Sequence, residues 1–284
     1  MKKFARAAVR NCVKLLDNFA GMVSPSNAGI FGDAIMDGAF ATTRQIEHGG
    51  IHLKLSCPGP MTHFRARTFS TKEPETLAWI DSLSEGIFWD VGANVGLYSL
   101  YAAKRHSGMK VYAFEPSVLN LEILARNIDL NGLENAITIV PLPLTDVTGA
   151  NRFCLSNVTR GGALSAFGVD YGYDGAKLGV ALKYGIYGVT MDDLVAKIGM
   201  PVPSAIKMDV DGIEHLILRG GRSTLANPRL RTLLIEINLS FREQRVSCEE
   251  ILTESGFRLR DRAVADMFKS GEYATTFNTI WVRN

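Results

Sequence analysis

The residues of this 284-residue chain with the clearest chemistry lie in one short stretch around two glycines. Residues 87–91 are apolar except for Asp90, a turn with Gly92 and Gly96 follows, and a second apolar run ends at Glu115. Glycine lets the backbone turn tightly and approach a ligand, and a carboxylate at the position of Glu115 can accept hydrogen bonds from both hydroxyls of a ribose. The pattern predicts a strand, a helix and a second strand that together bind a nucleotide-like cofactor.

The residue at position 90 discriminates between two classes of cofactor. A dinucleotide site normally has the pattern G-x-G-x-x-G, with its pyrophosphate against helix amides. Asp90 occupies the first glycine position of that pattern. Its carboxylate would repel a pyrophosphate but would attract the sulfonium and α-amino groups of S-adenosylmethionine. The turn therefore favours S-adenosylmethionine over NAD; the alternative is a strand-turn-helix in which Asp90 only caps the helix.

Ionisable residues accompany two later apolar runs. Residues 205–208 and 233–237 are predicted to be buried strands, and ligands of doubly wound sheets bind where such strands end. Transfer of a methyl group needs an acceptor oxygen held in line in a dry site, and a general base helps a hydroxyl to react. Asp209 is the first candidate for that base or for an acceptor-orienting group, and Glu236 is the second. Lys207 is the third catalytic candidate, with a buried ion pair as its structural alternative.

A divalent metal is the competing use of these side chains. Asp209, Asp211, Glu236 and Asn238 supply the hard oxygen ligands that magnesium takes, and a bound metal could acidify an acceptor hydroxyl. Spacing in the sequence does not show whether the four converge, so magnesium stands as an alternative to a general base.

Composition narrows the functional class. A net charge of +2 with 21% charged residues gives no electrostatic footprint for nucleic acid, and none is expected as a partner. The four cysteines are scattered without a C-x-x-C pair, which favours a reducing cytoplasm over a disulfide framework or zinc cluster. No apolar run has the length of a membrane span. Residues 209–212 also lack the Pro-Pro turn typical of enzymes that methylate base amino groups.

The chain alternates strand and helix patterns from about residue 73 onward, which predicts an α/β sheet with helices on both faces. The predicted strands are residues 87–91, 110–114, 136–142, 205–208, 233–237, 257–260 and 276–282. The final strand is expected to be antiparallel. Residues 71–284 are therefore predicted to form the main domain, and residues 1–70 an extension.

The extension begins with an amphipathic helix. Its apolar side has Phe4, Ala8, Cys12, Leu15, Leu16 and Phe19, and its other side has Lys3, Arg6, Arg10, Lys14 and Asp17. Residues 2–20 could make peripheral contact with an anionic membrane, or dock on the chain's own core or on a partner subunit of a homo-oligomer. Docking is favoured because ordinary surface helices share this pattern. Residues 21–50 are predicted to be irregular, and residues 51–69 to form a β-hairpin around Pro58-Gly59-Pro60.

Residues 151–189 form an unusually long connection, rich in glycine and tyrosine. Long connections in compact domains are typically functional or disordered. Tyrosine rings and hydroxyls suit a sugar or a polyketide ring, so the segment is the predicted substrate lid. Its tyrosines are Tyr171, Tyr173, Tyr184 and Tyr187. The alternative is a surface insertion with an extra strand at residues 152–155.

Six blocks in this order resemble the FkbM-type S-adenosylmethionine-dependent methyltransferases. They are residues 90–96 (DVGANVG), 114–116 (FEP), Asn127 with 131–133 (NGL), 190–194 (TMDDL), 206–214 (IKMDVDGIE) and 234–237 (LIEI). The resemblance covers roughly residues 70–282 and implies a seven-stranded Rossmann-like class I methyltransferase sheet. The family usually has Glu where this chain has Asp211, and the first 50 residues show no family pattern.

The resemblance also implies roles for individual residues. The implied cofactor-binding set is Asp90, Gly92, Asn94, Gly96, Glu115 and Asp146. Asp90 and the glycine turn would hold the methionine end of S-adenosylmethionine, Glu115 the ribose, and Asp146 the adenine amino group. Asp146 reads equally well as a turn carboxylate. The implied activity is O-methyl transfer to a hydroxyl of a sugar, glycan precursor or secondary metabolite; the alternative is a catalytically silent, cofactor-binding scaffold.

Overall fold

The computed structural model describes residues 2–263, 271 and 273–283, so the predicted domain limits at residues 1 and 284 lie outside it. Its helices are α1 Lys2–Val23, α2 Ile30–Ala41, α3 Pro60–Lys72, α4 Pro74–Asp81, α5 Leu97–Arg105, α6 Val118–Leu130, α7 Met191–Ala196, α8 Glu214–Arg219, α9 Arg222–Ala226 and α10 Arg242–Glu254. Its strands are β1 Thr43–His48, β2 Ile51–Ser56, β3 Ile87–Val91, β4 Lys110–Phe114, β5 Ile137–Val140, β6 Gly149–Leu155, β7 Ser165–Phe167, β8 Leu182–Gly188, β9 Ala205–Met208, β10 Thr232–Asn238, β11 Phe257–Ala263 and β12 Thr276–Arg283.

The predicted seven-stranded sheet is confirmed. Its order is β11-β12-β10-β9-β3-β4-β5, and β12 runs antiparallel to both of its neighbours while β10, β9, β3, β4 and β5 are parallel. Successive side chains of the central strand β3 point to opposite faces. Phe88 and Trp89 are both fully buried, each in a different apolar cluster. The central sheet is therefore covered on both faces, which explains why its strands are almost continuously apolar.

The extension at the start of the chain differs from the prediction. The β-hairpin is formed by β1 and β2, not by residues 51–69, and the turn between its strands is Gly49-Gly50. Both glycines have positive φ, as a two-residue hairpin turn requires. Pro60 begins α3, where its fixed φ suits the first turn of a helix. Residues 30–41, predicted to be irregular, form α2.

Helix α1 is confirmed, but the prediction that its apolar side docks on the core is wrong. Phe4, Leu15 and Phe19 are 82%, 70% and 67% exposed. The helix packs mainly against α2 and the short helical turn Pro25–Asn27. Its carboxylate Asp17 accepts hydrogen bonds from the first amides of α2, including that of Phe31 at 2.8 Å. The two helices form a hairpin whose apolar side chains face solvent.

A buried asparagine on α6 connects the extension to the glycine turn. The side-chain oxygen of Asn127 accepts from the amide of Ser56 at 2.7 Å, and its Nδ2 donates to the carbonyl of Val95 at 2.7 Å. Asn127 is 1% exposed, so water does not replace these bonds. The side chain holds β2 and the turn after β3 at a fixed separation.

Replacing Asn127 with Ala should lower the free energy of unfolding by about 2–4 kcal/mol, because the amide of Ser56 and the carbonyl of Val95 lose their side-chain partner. Urea unfolding measures this change. Asn135→Ala is the matched control: Asn135 is exposed, and among the described residues its side chain hydrogen-bonds only the neighbouring Glu134, at 3.5 Å. The control should change stability by less than about 0.5 kcal/mol. Equal effects of the two substitutions would contradict the connecting role of Asn127.

Candidate active site

One cavity of about 370 Å³ opens where β3, β4, β9 and β10 end. Its volume lies in the range of small-molecule sites, roughly 300–1,000 Å³. The walls come from the glycine turn, from the ends of these strands, from α3 and from residues 162–167 of the long connection. The position agrees with the rule that ligands of doubly wound sheets bind at the carboxyl ends of the strands.

The glycine turn has three residues with positive φ, two of which are glycines. Gly92 has a φ of 84°, and a Cβ at this position would overlap the carbonyl oxygen of Asp209. Gly96 has a φ of 87°, and its Cβ would lie 2.5 Å from a methyl of Leu124. Asn94 lies between them with a φ of 54°, in the left-handed region that asparagine tolerates. The turn therefore passes directly against the segment after β9.

Glu115 lies at the rim of this turn, as predicted. Its Oε2 accepts from the amide of Asn94 and its Oε1 from the amide of Ser117, both at 2.8 Å. The side chain lines the cavity and is 5% exposed. Burial raises the pKa of Glu115 to about 7, although the two amides oppose the shift. Glu115 and the glycine turn thus present a carboxylate and backbone groups to the same space.

Asp90 does not line the cavity. It is fully buried, its Oδ2 accepts from the hydroxyl of Ser99 at 2.6 Å, and its Oδ1 lies 4.0 Å from the ammonium of Lys207. Burial raises the pKa of Asp90, with Lys207 opposing the shift. Strand β3 places the carboxylate behind the turn. The carboxylate therefore does not reach the cavity that a cofactor would enter. Asp90 instead supports Lys207, which does line the cavity.

Two of the catalytic candidates, Lys207 within β9 and Asp209 directly after it, lie close together. The Nζ of Lys207 lies 3.2 Å from the Oδ2 of Asp209 and 5.0 Å from the centre of the Tyr98 ring. Lys207 is 1% exposed, and Asp209, Asp90 and Glu73 together raise its pKa despite the opposing effect of burial. The ammonium is therefore charged and holds the Asp209 carboxylate at the edge of the cavity.

Glu236 faces the same space from β10. Burial raises its pKa well above the ordinary value, and the nearby carboxylates of Asp209 and Glu73 add to the shift. Its protonated form is therefore favoured. The three catalytic candidates of the sequence thus share one wall of the cavity.

Sequence reasoning missed an ion pair at the end of α3. Lys72 pairs with Glu73, and the hydroxyl of Tyr98 donates to Glu73 at 2.8 Å. Burial alone would raise the pKa of Glu73, but the ammonium groups of Lys72 and Lys207 lower it to about 2. All of these side chains line the cavity. The adjacent opposite charges of Lys72 and Glu73 were the available signal in the sequence. The local sequence does not show that they reach the cavity.

The long connection reaches the cavity, but its tyrosines do not line it, and its role as a lid stays a prediction. The extra strand of the alternative, at residues 152–155, lies within β6. Residues 149–188 form a three-stranded sheet, β7-β6-β8, and the loop before β7 covers the cavity. Asn94 donates to the carbonyl of Gly162 at 2.7 Å, and Arg65 donates to that of Gly161 at 2.6 Å. The four tyrosines are not among the residues that line the cavity. Tyr184, for example, hydrogen-bonds the carbonyl of Pro116 at 3.1 Å and so anchors the small sheet.

Two further predicted residues lie elsewhere. Asp146 is exposed and does not line the cavity, because the chain turns away after Leu144. Asn238 is buried outside the cavity, where its Oδ1 accepts from the amide and the hydroxyl of Ser240.

In the part of the chain that the structure describes, no group of three or more His, Cys, Asp or Glu side chains is arranged to hold a metal ion. The alternative magnesium site is therefore not supported.

Comparison with known proteins identifies the family. The sequence model of the methyltransferase FkbM domain matches residues 90–259, which include the glycine turn, Glu115, Asp209 and Glu236. The chain belongs to the FkbM methyltransferase family. It is 24% identical over 170 residues to the 31-O-demethyl-FK506 methyltransferase FkbM of Streptomyces tacrolimicus, covering 54% of this chain and 65% of the relative.

Two further proteins are similar to this FkbM-family chain. The hexuronic acid methyltransferase AglP of Haloferax volcanii is 25% identical over 156 residues, covering 54% of this chain and 56% of AglP. The chain thus spans less than two thirds of the length of either curated relative. A solved structure from Streptococcus mutans, provisionally assigned as a SAM-dependent methyltransferase, has a TM-score of 0.51 at 12% identity. It covers 84% of this chain and 55% of that one, and the likeness concerns the fold alone.

Gly92→Ala should destabilise the protein by more than about 2 kcal/mol, because the added Cβ meets the carbonyl of Asp209 and alanine is strained at a φ of 84°. Urea unfolding measures the loss. Gly149→Ala is the control, since Gly149 has open space around its Cβ position and no left-handed φ. It should stay within about 0.5 kcal/mol of the unsubstituted protein. A stable Gly92→Ala protein would show that the turn does not pack against β9 as described.

Proposed function

We propose that this chain is an S-adenosylmethionine-dependent O-methyltransferase that acts on a hydroxyl of a sugar, glycan precursor or secondary metabolite. The observation that carries the proposal is one cavity that joins the turn bearing Glu115 to the wall bearing Lys207, Asp209 and Glu236. The part of the cavity at the turn with Glu115, its first half, suits a nucleoside. The part at the wall with Lys207, Asp209 and Glu236, its second half, suits proton transfer. A silent scaffold would need only the first half.

The residues of the turn fit this cofactor. The buried side-chain oxygen of Asn94 has no hydrogen-bond partner among the described residues, and Asn94 lines the cavity. Gly92 lines the cavity with its backbone, while Gly96 lies outside the lining and packs against Leu124. We assign the ribose hydroxyls to Glu115 and the methionine end to the turn with Asn94. Asp90 contributes to that end through Lys207 rather than by contact. The wall Leu142–Leu144, and not Asp146, is the proposed adenine surface.

The proposed chemistry follows from the carboxylates. When bound, S-adenosylmethionine supplies an electrophilic methyl group and leaves as a neutral thioether. Asp209 accepts the proton of the acceptor hydroxyl as the new oxygen–carbon bond forms, and Lys207 keeps the carboxylate oriented. Glu236, whose pKa is raised by burial, donates a hydrogen bond that positions the acceptor. The lid loop and the apolar wall exclude water from the reacting atoms.

The relatives support the acceptor class. Their names specify transfer to an FK506 derivative in one case and to a hexuronic acid in the other. The first name, 31-O-demethyl-FK506 methyltransferase, describes an acceptor that lacks a methyl group on an oxygen. The cavity of this chain has acidic and basic side chains close together, with Glu73, Asp209, Asp211 and Glu236 beside Arg65, Lys72 and Lys207. The hydroxyl groups of a neutral acceptor can hydrogen-bond with side chains of both kinds. Four free cysteines accord with the proposed cytoplasmic location.

Mass spectrometry of glycans and metabolites from strains with and without the gene tests the proposal directly. The strain with the gene should contain a hydroxyl compound that carries one additional methyl group. Purified protein incubated with labelled S-adenosylmethionine and extract of the other strain should transfer label to that compound. A protein that binds the cofactor but transfers no label to any extract would establish the scaffold alternative.

Glu115→Gln should weaken S-adenosylmethionine binding by at least about tenfold, since hydrogen bonds to a charged group contribute roughly 1.5–3 kcal/mol each. The pKa of Glu115 is raised to about 7, so its carboxyl gains a proton as the pH falls below about 7 and accepts the ribose hydroxyls less well. Calorimetry should therefore show weaker binding at lower pH in the unsubstituted protein. Glu115→Gln should show a flatter profile, and an equally steep profile would contradict the assignment.

Asp209→Asn should leave cofactor affinity within about threefold of the unsubstituted protein and lower methyl transfer by about 10²–10⁴-fold, the usual contribution of a general base. Asparagine keeps the shape of the side chain but does not accept the proton. Labelled transfer measures the rate and calorimetry the affinity. Asp261→Asn is the control, because Asp261 is exposed on β11 away from the cavity. Full transfer by Asp209→Asn would move the role of base to another residue.

A further inference from the structure

We infer that the hairpin of α1 and α2 binds in the plane of an anionic lipid surface and so places this chain at a membrane. The inference rests on a pair of helices that leaves its apolar side chains in solvent, and it does not depend on the proposed reaction. The exposed side chains of α1 are Phe4, Val9, Leu15, Leu16, Phe19, Met22 and Val23, and those of α2 are Ile30, Phe31, Ile35 and Met36. Monomeric soluble proteins rarely expose an apolar surface of this extent without a function for it.

Helix α1 separates apolar and basic residues by side. At 100° per residue, the exposed apolar side chains lie within an arc of about 140° that runs from Phe4 to Val9. Arg6, Arg10 and Lys14 lie within a separate arc of about 80°, and all three are exposed. A helix with these two arcs lies with its apolar arc among acyl chains and its cations at the level of the headgroups.

The charges of the hairpin identify the surface as anionic. Helix α1 has five Lys and Arg residues and one acidic residue. That acidic residue, Asp17, is engaged with the amides of Phe31 and Gly32 and so faces α2. The acidic residues of α2, Asp33 and Asp37, share one stripe of that helix, on the side opposite to Phe31 and Ile35. The apolar arc of α1 and the stripe of α2 with Phe31 and Ile35 can therefore enter a lipid surface without burying a carboxylate, whereas Ile30 and Met36 lie on either side of the acidic stripe.

Other occupants fit this surface less well. No helix among the described residues is long and apolar enough to cross a membrane. A second copy paired through the same apolar arcs would bring together two α1 helices of net positive charge, and this charge opposes pairing even though the cations lie on the outer sides. An anionic lipid surface instead attracts each cation near it, and the attraction extends over about a Debye length, roughly 8–10 Å.

Vesicle co-sedimentation of the full chain tests the inference. We expect binding to vesicles of phosphatidylcholine with phosphatidylserine, weaker binding to phosphatidylcholine alone, and weakening with added salt. The variant Arg6→Gln/Arg10→Gln/Lys14→Gln should bind the anionic vesicles at least tenfold less well, since each cation contributes about fivefold. Leu15→Gln/Phe19→Gln should reduce binding to both kinds of vesicle by at least about tenfold. Circular dichroism should show that both variants keep the helical content of the parent.

A charge-matched variant provides the control. Lys104→Gln/Lys177→Gln/Arg229→Gln removes the same net charge from exposed positions outside the hairpin and should bind anionic vesicles as the parent does. An equal loss in this control would reduce the effect to net charge and overturn the inference. Absence of binding to anionic vesicles would overturn it as well. So would a dimer in analytical ultracentrifugation that Leu15→Gln/Phe19→Gln dissociates while vesicles have no effect, because a second copy would then be the occupant.

Discussion

The active site depends on one buried ammonium group. Lys207 is almost fully enclosed and lies within 4.0 Å of Asp90 behind the glycine turn and 3.2 Å from Asp209 in front of it. A carboxylate as deeply buried as Asp90 is costly without a compensating charge, and removing one partner of such a group leaves the other uncompensated. The residues on either side of the sheet edge are therefore linked electrostatically, and the strand β9 that bears Lys207 must lie next to β3 for the site to exist.

The same proximity is enforced sterically. Gly92 lets the backbone of the turn approach the carbonyl of Asp209, so the segment proposed to hold the cofactor and the segment with the proposed base are in contact. Glu214 holds the second segment in place, since its carboxylate accepts from the amides of Val210 and Gly212. The close contact explains why position 92 requires glycine, and the two amide contacts give Glu214 a structural role.

The sequence predicted those parts of the molecule that are specified locally. The seven strands follow from short apolar runs, and Glu115 from its place after a strand. Asp90 was assigned to the cofactor from its charge and its position in the glycine pattern, but the direction of its side chain depends on the pleat of β3, which places it beside Lys207. Asp146 was assigned from the family resemblance and Asn238 as a possible metal ligand. Asp146 is exposed, Asn238 is the last residue of β10, and neither lines the cavity.

The missed residues are those brought in by tertiary contacts. Glu73 and Tyr98 approach each other across 25 positions, and neither is part of a local motif. The block at 190–194 shows the opposite case: it helped to reveal the family, yet its side chains are structural. Thr190 caps α7 by accepting from the amide of Asp193, and Asp192 accepts from the amides of Ser223 and Thr224 at the start of α9.

The lid connects both halves of the cavity through its backbone. On one side Asn94 holds the carbonyl of Gly162, and on the other the Oδ2 of Asp211 accepts from the amides of Leu164 and Ser165 at 2.7 and 3.2 Å. Asp211 has a φ of 63°, which directs its short carboxylate from the turn after β9 toward the loop. A ligand that displaces the Asn94 contact therefore acts on the same loop that Asp211 holds over the acceptor wall. The loop is thus held at the same time from the glycine turn and from the turn after β9, so a change at Asn94 or Asp211 alters the contacts of one segment.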